Sequence, residues 1–298
     1  MTGDVPIEQG IAQIRAVYGK WGKGTSVAQM RRDWDDLYSA RAASLPIEKI
    51  DAGGVPAEWI SVPGARPDRS ILYLHGGGFR LGSIDSHRDL MQRISGAAQA
   101  RVLAVDYRLS PEHHFPAPVE DALTAYRWLL GLGLGASNVA FVGDSAGGGL
   151  ALSTMFAARS HGLALPCAAV LMSVWTDLEA SGRSYETRAA LDPIHQRPMI
   201  LAMAKGYLTA AGDPRNPLAS PLYGNLRGLP PMLLQCGGRE TVLEDTVMFA
   251  ERAREAGVAV DVEIYEDMIH VFQMFADELE EARQAIASAG AFLKRYLD

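Results

Sequence analysis

Asn138-Val139-Ala140-Phe141-Val142-Gly143-Asp144-Ser145-Ala146-Gly147 passes from a short apolar run, through a turn of small residues, into a stretch of helix formers that reaches His161. A continuous apolar run of this length, bounded by turn residues, is the pattern of a strand buried on both faces. Gly143 and Gly147 allow a turn so tight that strand and helix nearly touch. Such a turn lifts the Ser145 hydroxyl above the sheet at the helix N-terminus, where developing negative charge is favoured. As a bare pattern, Gly-x-Ser-x-Gly occurs by chance in many chains, so its weight comes from this strand–turn–helix setting. The plain alternative is a small-residue connection with no chemistry. Asp144 faces away from the reacting side of such a turn and is expected to support the site rather than to react.

Working outward, the same kind of run recurs at Ile71 to Leu74, Val102 to Asp106, Ala168 to Met172, Met232 to Gln235 and Val260 to Tyr265. Helical stretches at about 88–98, 118–130, 145–161, 241–256 and 276–297 separate most of them. Strands alternating with helices predict βαβ units and a doubly wound sheet. Ile47 to Asp51 and Val55 to Val62 alternate with period two around Gly53-Gly54, a hairpin-like opening that brings the total to eight strands. Before them, residues 6–43 carry Ile11, Ile14, Val17, Met30, Trp34 and Leu37 at roughly helical spacing, as two amphipathic helices would. Almost sixty residues separate the run ending near Ser173 from the one starting at Pro231, with a helical piece near 198–210. A structureless loop of that length is unusual, so an inserted helical subdomain is expected.

His75-Gly76-Gly77-Gly78-Phe79 closes the Ile71 run. Consecutive glycines let the backbone approach a ligand closely and aim N–H groups at it. Gly77, Gly78 and, from the turn, Ala146 would supply three donors to an oxyanion. A phosphate-cradling loop is the alternative, but neither Gly-x-Gly-x-x-Gly nor a following Lys is present. Of the seven histidines, only His270 lies after the last strand and before the last helix, where the chain order serine, acid, histidine requires the base. The acid should follow the Met232 run. Glu240 comes first, in the loop after Gly237-Gly238; Glu244 and Asp245 are the alternatives, a turn further on and already helical. Asp106-Tyr107-Arg108 is expected to brace the glycine loop as a polar cluster.

The 298 residues are 48 % hydrophobic and 21 % charged, with a formal net charge of −7. No basic cluster exceeds Arg31-Arg32, which argues against a nucleic-acid partner. Cys167 and Cys236 lie in apolar runs and are expected to be buried, reduced thiols, consistent with a reducing compartment. Met1-Thr2-Gly3-Asp4 starts neither a basic nor an apolar leader, and no apolar stretch reaches the ~18 residues that span a bilayer. A cytoplasmic protein is expected.

Several ordered blocks between His75 and Phe272 resemble the hormone-sensitive lipase family of bacterial carboxylesterases: His75 to Phe79, Tyr107-Arg-Leu-Ser-Pro-Glu112, Phe115-Pro-Ala117 with Glu120-Asp121-Ala122, Gly143 to Gly149, Ser220-Pro221-Leu222, Pro230-Pro231 and the His270 loop. The resemblance implies an α/β-hydrolase fold, an eight-stranded mostly parallel sheet flanked by helices, with a helical cap. It divides the chain into N-terminal cap helices at 1–44, a catalytic domain at 45–180 and 212–298, and an inserted cap segment at 181–211. It also implies Ser145 as nucleophile, His270 as base, Glu240 as acid and Gly77, Gly78 and Ala146 as oxyanion hole. The family's acid is most often aspartate, so Glu240 is a departure, as is Thr241 where proline is common. Ser110 stands where alanine is usual, with no consequence expected. The implied activity is hydrolysis of short- to medium-chain acyl esters, without metal or organic cofactor, often by dimers. A lactone or amide hydrolase with the same triad is one alternative. A non-catalytic ligand receptor is another, which an intact His270 argues against.

Overall fold

The six apolar runs and the two alternating segments all become strands of a single sheet in the computed structural model, which describes residues 6–297. The Met1-Thr2-Gly3-Asp4 segment lies outside the described residues. The strands are β1 (Glu48–Asp51), β2 (Pro56–Ile60), β3 (Arg66–Leu74), β4 (Ala100–Val105), β5 (Val139–Asp144), β6 (Ala168–Met172), β7 (Met232–Gly237) and β8 (Val260–Tyr265), in spatial order β1-β2-β4-β3-β5-β6-β7-β8. β1 pairs antiparallel with β2, and β2 with β4; every other pairing is parallel. β3 begins five residues earlier than its apolar run, because Arg66 to Asp68 are exposed and give no hydrophobic signal.

The helices are α1 (Pro6–Tyr18), α2 (Val27–Tyr38), α3 (Ile84–Ala98), α4 (Ala117–Gly131), α5 (Ser145–Ser160), the single turn α6 (Ser184–Thr187), α7 (Arg197–Leu208), α8 (Leu243–Glu255) and α9 (Glu280–Leu297). α3 starts four residues before the expected 88, at a capping box in which the Ser83 and Ser86 side chains each serve the other's backbone N–H. α9 starts four residues later than 276, because the chain after His270 first makes a 3₁₀ turn at Phe272–Phe275.

The central strands are apolar on both faces because each face feeds a separate core. Leu72, Leu74, Leu103, Phe141 and Leu171 pack with α4, α5 and α8 residues such as Tyr126, Leu150 and Phe249. Their neighbours Ile71, Tyr73, Val102, Val142 and Val170 pack on the other side with α3 and α9 residues such as Ile94, Ile286 and Phe292. Ile7, Ile11 and Ile14 of α1 and Tyr38 of α2 extend this second core. Full burial of such side chains contributes about 1.5–3 kcal/mol each. No helix of the described residues is long and apolar enough to cross a membrane. Both cysteines are free; Cys236 is buried, but Cys167 precedes β6 in the chain and is only half-buried.

Candidate active site

Parallel register brings the carboxyl ends of β3, β5, β6 and β7 level: Leu74 pairs with Gly143, Asp144 with Met172, and Met172 with Gln235. Residues just beyond those ends therefore share one edge of the sheet. Ser145 follows β5 directly, with a positive φ of 51° that a serine holds only under constraint from its surroundings. The constraint is steric. A Cβ on Gly147 would lie 2.1 Å from the Leu74 carbonyl oxygen, and one on Gly143 2.6 Å from that of Gly147.

His270 Nε2 lies 2.9 Å from Ser145 Oγ, and its Nδ1 meets Glu240 Oε2 in a short hydrogen bond. A carboxylate only accepts, so Nδ1 carries the proton and Nε2 is left to accept from Ser145. Glu240 is fully buried, and its other oxygen accepts from Gly237 N–H at 2.7 Å. That bond folds the longer side chain back against β7 and absorbs the methylene by which glutamate exceeds aspartate. Glu244 instead caps Arg183 N–H, while buried Asp245 accepts from Thr176 N–H, Asp177 N–H and Tyr185 Oη–H; neither reaches His270. Burial alone would depress the His270 pKa, but the charge and hydrogen bond of Glu240, with Asp192 and Asp144 behind, outweigh it and raise the imidazole above its ordinary value.

Gly77 and Gly78 follow β3 with φ of 114° and 63°, and a Cβ on Gly77 would strike the Leu81 carbonyl. Among the described residues, no acceptor takes the N–H of Gly77, Gly78 or Ala146, the last lying in the unpaired first turn of α5. Beneath the glycine loop, Asp144 Oδ1 accepts from Tyr73 Oη–H at 2.8 Å and Oδ2 lies 3.3 Å from His87 Nε2. Burial would raise the Asp144 carboxyl, yet His87 and Tyr73 hold it below its usual value. Asp144 thus points down into the protein, as its place in the turn predicts.

The expected Asp106-Tyr107-Arg108 brace is corrected to Tyr107 alone. Its hydroxyl donates to the His75 carbonyl at 2.6 Å and its ring stacks on His75 at 4.4 Å. Arg108 turns away to Asp121 on α4, and Asp106 is exposed. Ser110 is not inert either: its hydroxyl and its N–H both donate to the Phe79 carbonyl, at 3.0 and 2.8 Å, and so support the same loop.

Above Ser145 lies a narrow cavity of about 50 Å³. Ile14 and Tyr18 of α1, Trp34 and Tyr38 of α2, and Ile194, His195, Ile200 and Met203 of the insertion line it together with Ser145, His270 and Gly78. Of the α2 residues singled out in the sequence, only Trp34 lines the cavity; Leu37 packs on the second core and Met30 is half-buried at the surface. Four contributors carry no sequence motif. Ser173 Oγ accepts from Val271 N–H at 2.9 Å and steadies the His270 loop, and His195 lies edge-on to His270 with ring centroids 4.3 Å apart. Asp192 and Thr241 join the insertion to the Glu240 loop through a 2.8 Å bond from Thr241 N–H. Asp192 carries no motif in the sequence, and Thr241 only a departure from proline.

A model of the alpha/beta hydrolase fold family matches residues 71–274. An acetyl-hydrolase of Streptomyces hygroscopicus is 45 % identical over 249 residues, 84 % of this chain and 83 % of its own. An esterase of Acinetobacter venetianus is 35 % identical over 249 residues, 84 % of this chain and 82 % of its own. The crystal structure of an esterase from the bacterial hormone-sensitive lipase family superposes with a TM-score of 0.96 at 44 % identity, covering 100 % of both chains. A sheet of this order, a serine at the tight turn after β5 and relatives of this closeness lead to one conclusion: the chain belongs to the α/β-hydrolase family, among the esterases of its bacterial hormone-sensitive lipase branch.

Proposed function

We propose that this esterase hydrolyses short- to medium-chain acyl esters through a Ser145–His270–Glu240 triad and an acyl-enzyme. The reading rests on the hydrogen-bonded run from Glu240 through His270 to Ser145 Oγ. Ser145 Oγ attacks the ester carbonyl carbon while His270 Nε2 takes its proton. Gly77, Gly78 and Ala146 N–H stabilise the oxyanion, and loss of one such donor costs ~10²–10³ in rate. Collapse breaks the bond to the alcohol, whose oxygen receives the proton from His270. Water, deprotonated by the same imidazole, then releases the acid. Each proton and each charge has a side chain or backbone group assigned to it, so neither metal nor organic cofactor is required.

The narrowness of the cavity favours the short end of the acyl range, and its lining by α1, α2 and the insertion supports the cap role of those segments. The reading includes a cytoplasmic location, which two free thiols outside the chemistry support. The test is hydrolysis of a p-nitrophenyl ester series from acetate to decanoate, with one lactone and one amide added. Wild-type protein should turn over the short esters fastest. Ser145→Ala should lose ~10⁴ or more of kcat. Turnover near wild type in that variant would reject the assignment, and no turnover by the wild type would favour a receptor.

A further inference from the structure

Asp192 is buried in the insertion, and four hydrogen-bond donors converge on its carboxylate. Oδ1 accepts from Ile194 and His195 N–H at 2.9 and 2.8 Å, which coils residues 192–195 into a tight turn. Oδ2 accepts from Thr241 N–H at 2.8 Å and lies 3.2 Å from Thr241 Oγ1. The same hydroxyl is 3.0 Å from the His195 carbonyl, so its one proton is shared between two acceptors. Thr241 is the residue after Glu240. Proline, common at that position in the resembled family, has neither the N–H nor the hydroxyl; the N–H bond needs a residue other than proline, and the hydroxyl contacts need threonine or serine.

We infer that Asp192 and Thr241 form a latch that positions His270, by clamping the insertion onto the Glu240 loop and seating the His195 ring against the His270 imidazole. The inference rests on the triad reading given above. Asp192, Thr241 and His195 are positioning residues; none of them touches the reacting atoms.

The charged and titratable groups gathered on His270 come from three directions: Glu240 from the loop after β7, Asp192 and His195 from the insertion, and Asp144 from the turn after β5. Tyr18 of α1 is near enough to Asp192 to feel its charge. Burial, followed by the charge of His270, pushes the His195 pKa below its ordinary value against the pull of Asp192. His195 is therefore a weaker base than His270 and leaves the Ser145 proton to it. Among the described residues the buried His195 Nδ1 finds no hydrogen-bond partner and lies 3.8 Å from Asp192 Oδ1, so packing rather than bonding keeps the ring in place. Packing of that kind is lost when the turn beneath it loosens. The negative charge of Asp192 meanwhile adds to that of Glu240 in holding the His270 pKa up.

The experiment compares Asp192→Asn, Thr241→Pro, Thr241→Val and Thr241→Ser with wild type on p-nitrophenyl butyrate, following kcat, KM, the pH profile of kcat and the melting temperature. Asp192→Asn and Thr241→Pro should lower kcat by about 10- to 100-fold, the scale of a small misplacement of a reacting group. Asp192→Asn should in addition move the acid limb of the profile to lower pH, which a purely structural role would not do. Thr241→Ser, which keeps both donors, should restore wild-type kcat, and Thr241→Val should fall between. A folded Asp192→Asn with wild-type kcat and an unmoved acid limb overturns the latch. If Asp192→Asn or Thr241→Pro fails to fold, the Val and Ser variants decide, and equal kcat in those two overturns it. Failure of the triad reading is separate: it would appear as retained activity in Ser145→Ala, whatever the latch variants do.

Discussion

His270 sits between two opposing influences, and as the proposed base it would set the pH at which the site works. Burial favours the neutral imidazole, and the Glu240 carboxylate against Nδ1 favours the charged one and prevails. A base whose pKa lies above the usual value of about 6.5 is protonated, and inactive, over a wider acid range. Activity should therefore fall as the pH drops through a value above 6.5. Glu240→Gln removes the charge that raises His270, so its acid limb should move to lower pH while kcat falls by ~10⁴, as when another triad acid is made an amide. Glu244→Gln and Asp245→Asn, whose side chains are engaged elsewhere, should keep both the limb and most of kcat. An unmoved limb in Glu240→Gln, or a larger loss in either neighbour, would transfer the role. In the proposed triad, glutamate can stand where aspartate is usual because Gly237 N–H holds its second oxygen.

Among the elements, α2 and α7 reach the site from outside the sheet. α2 is anchored by Arg31 to Glu112 and to the Arg80 and Ser110 carbonyls, and by Asp35 to Ser83. These bonds hold it over the loop that carries the glycines. Trp34, packed between Tyr18 and Tyr38, forms part of the cavity wall. Trp34→Ala should open the cavity and shift the kcat/KM ratio of octanoate to butyrate upward by about tenfold, the scale of discrimination by methylene-sized contacts. An unchanged ratio would remove α2 from the specificity machinery. From the insertion, α7 presses on the glycine loop through Tyr207, stacked on Phe79 at 3.8 Å, and through Met203, whose sulfur occupies the space a side chain on Gly78 would need. The insertion is thus tied at one end to the proposed oxyanion loop and at the other to the acid loop.

In the molecule as a whole, the two-sided core carries the sheet, while a few buried polar junctions attach the outlying segments to it. Asp245 is one of these, joining α8 to the loop after β6 and, through Tyr185, to the insertion. Burial, with the charge of Asp177 added, raises its carboxyl to about 8, partly offset by its hydrogen bonds. In the unfolded chain the same group ionises near 4. Between those values the native state binds the extra proton, so stability contributed at low pH is lost as the pH rises through the window. Asp245→Asn cannot titrate and should melt with a flatter pH dependence between about pH 5 and pH 8. A slope equal to wild type would show that Asp245 is ionised in the native protein.

Much of this architecture was legible in the chain because it follows from local rules. Runs such as Val139 to Val142 alternate between two cores, and a strand buried on both faces has no choice but to be apolar throughout. The turn at Ser145 needs small neighbours, the glycine loop needs residues without Cβ, and chain order alone selects His270 from seven histidines. What local rules could not decide were contacts between segments distant in the chain. Glu240 rather than Asp245 faces His270 because Gly237 N–H and Thr176 N–H claim their carboxylates in different directions. Asp192 meets Thr241 across 49 residues, with no motif around either residue to announce it. The Ser145 turn could be recognised in the sequence because sterics within a few residues dictate it. The Asp192–Thr241 contact beside His270 could not, because long-range packing brought it there.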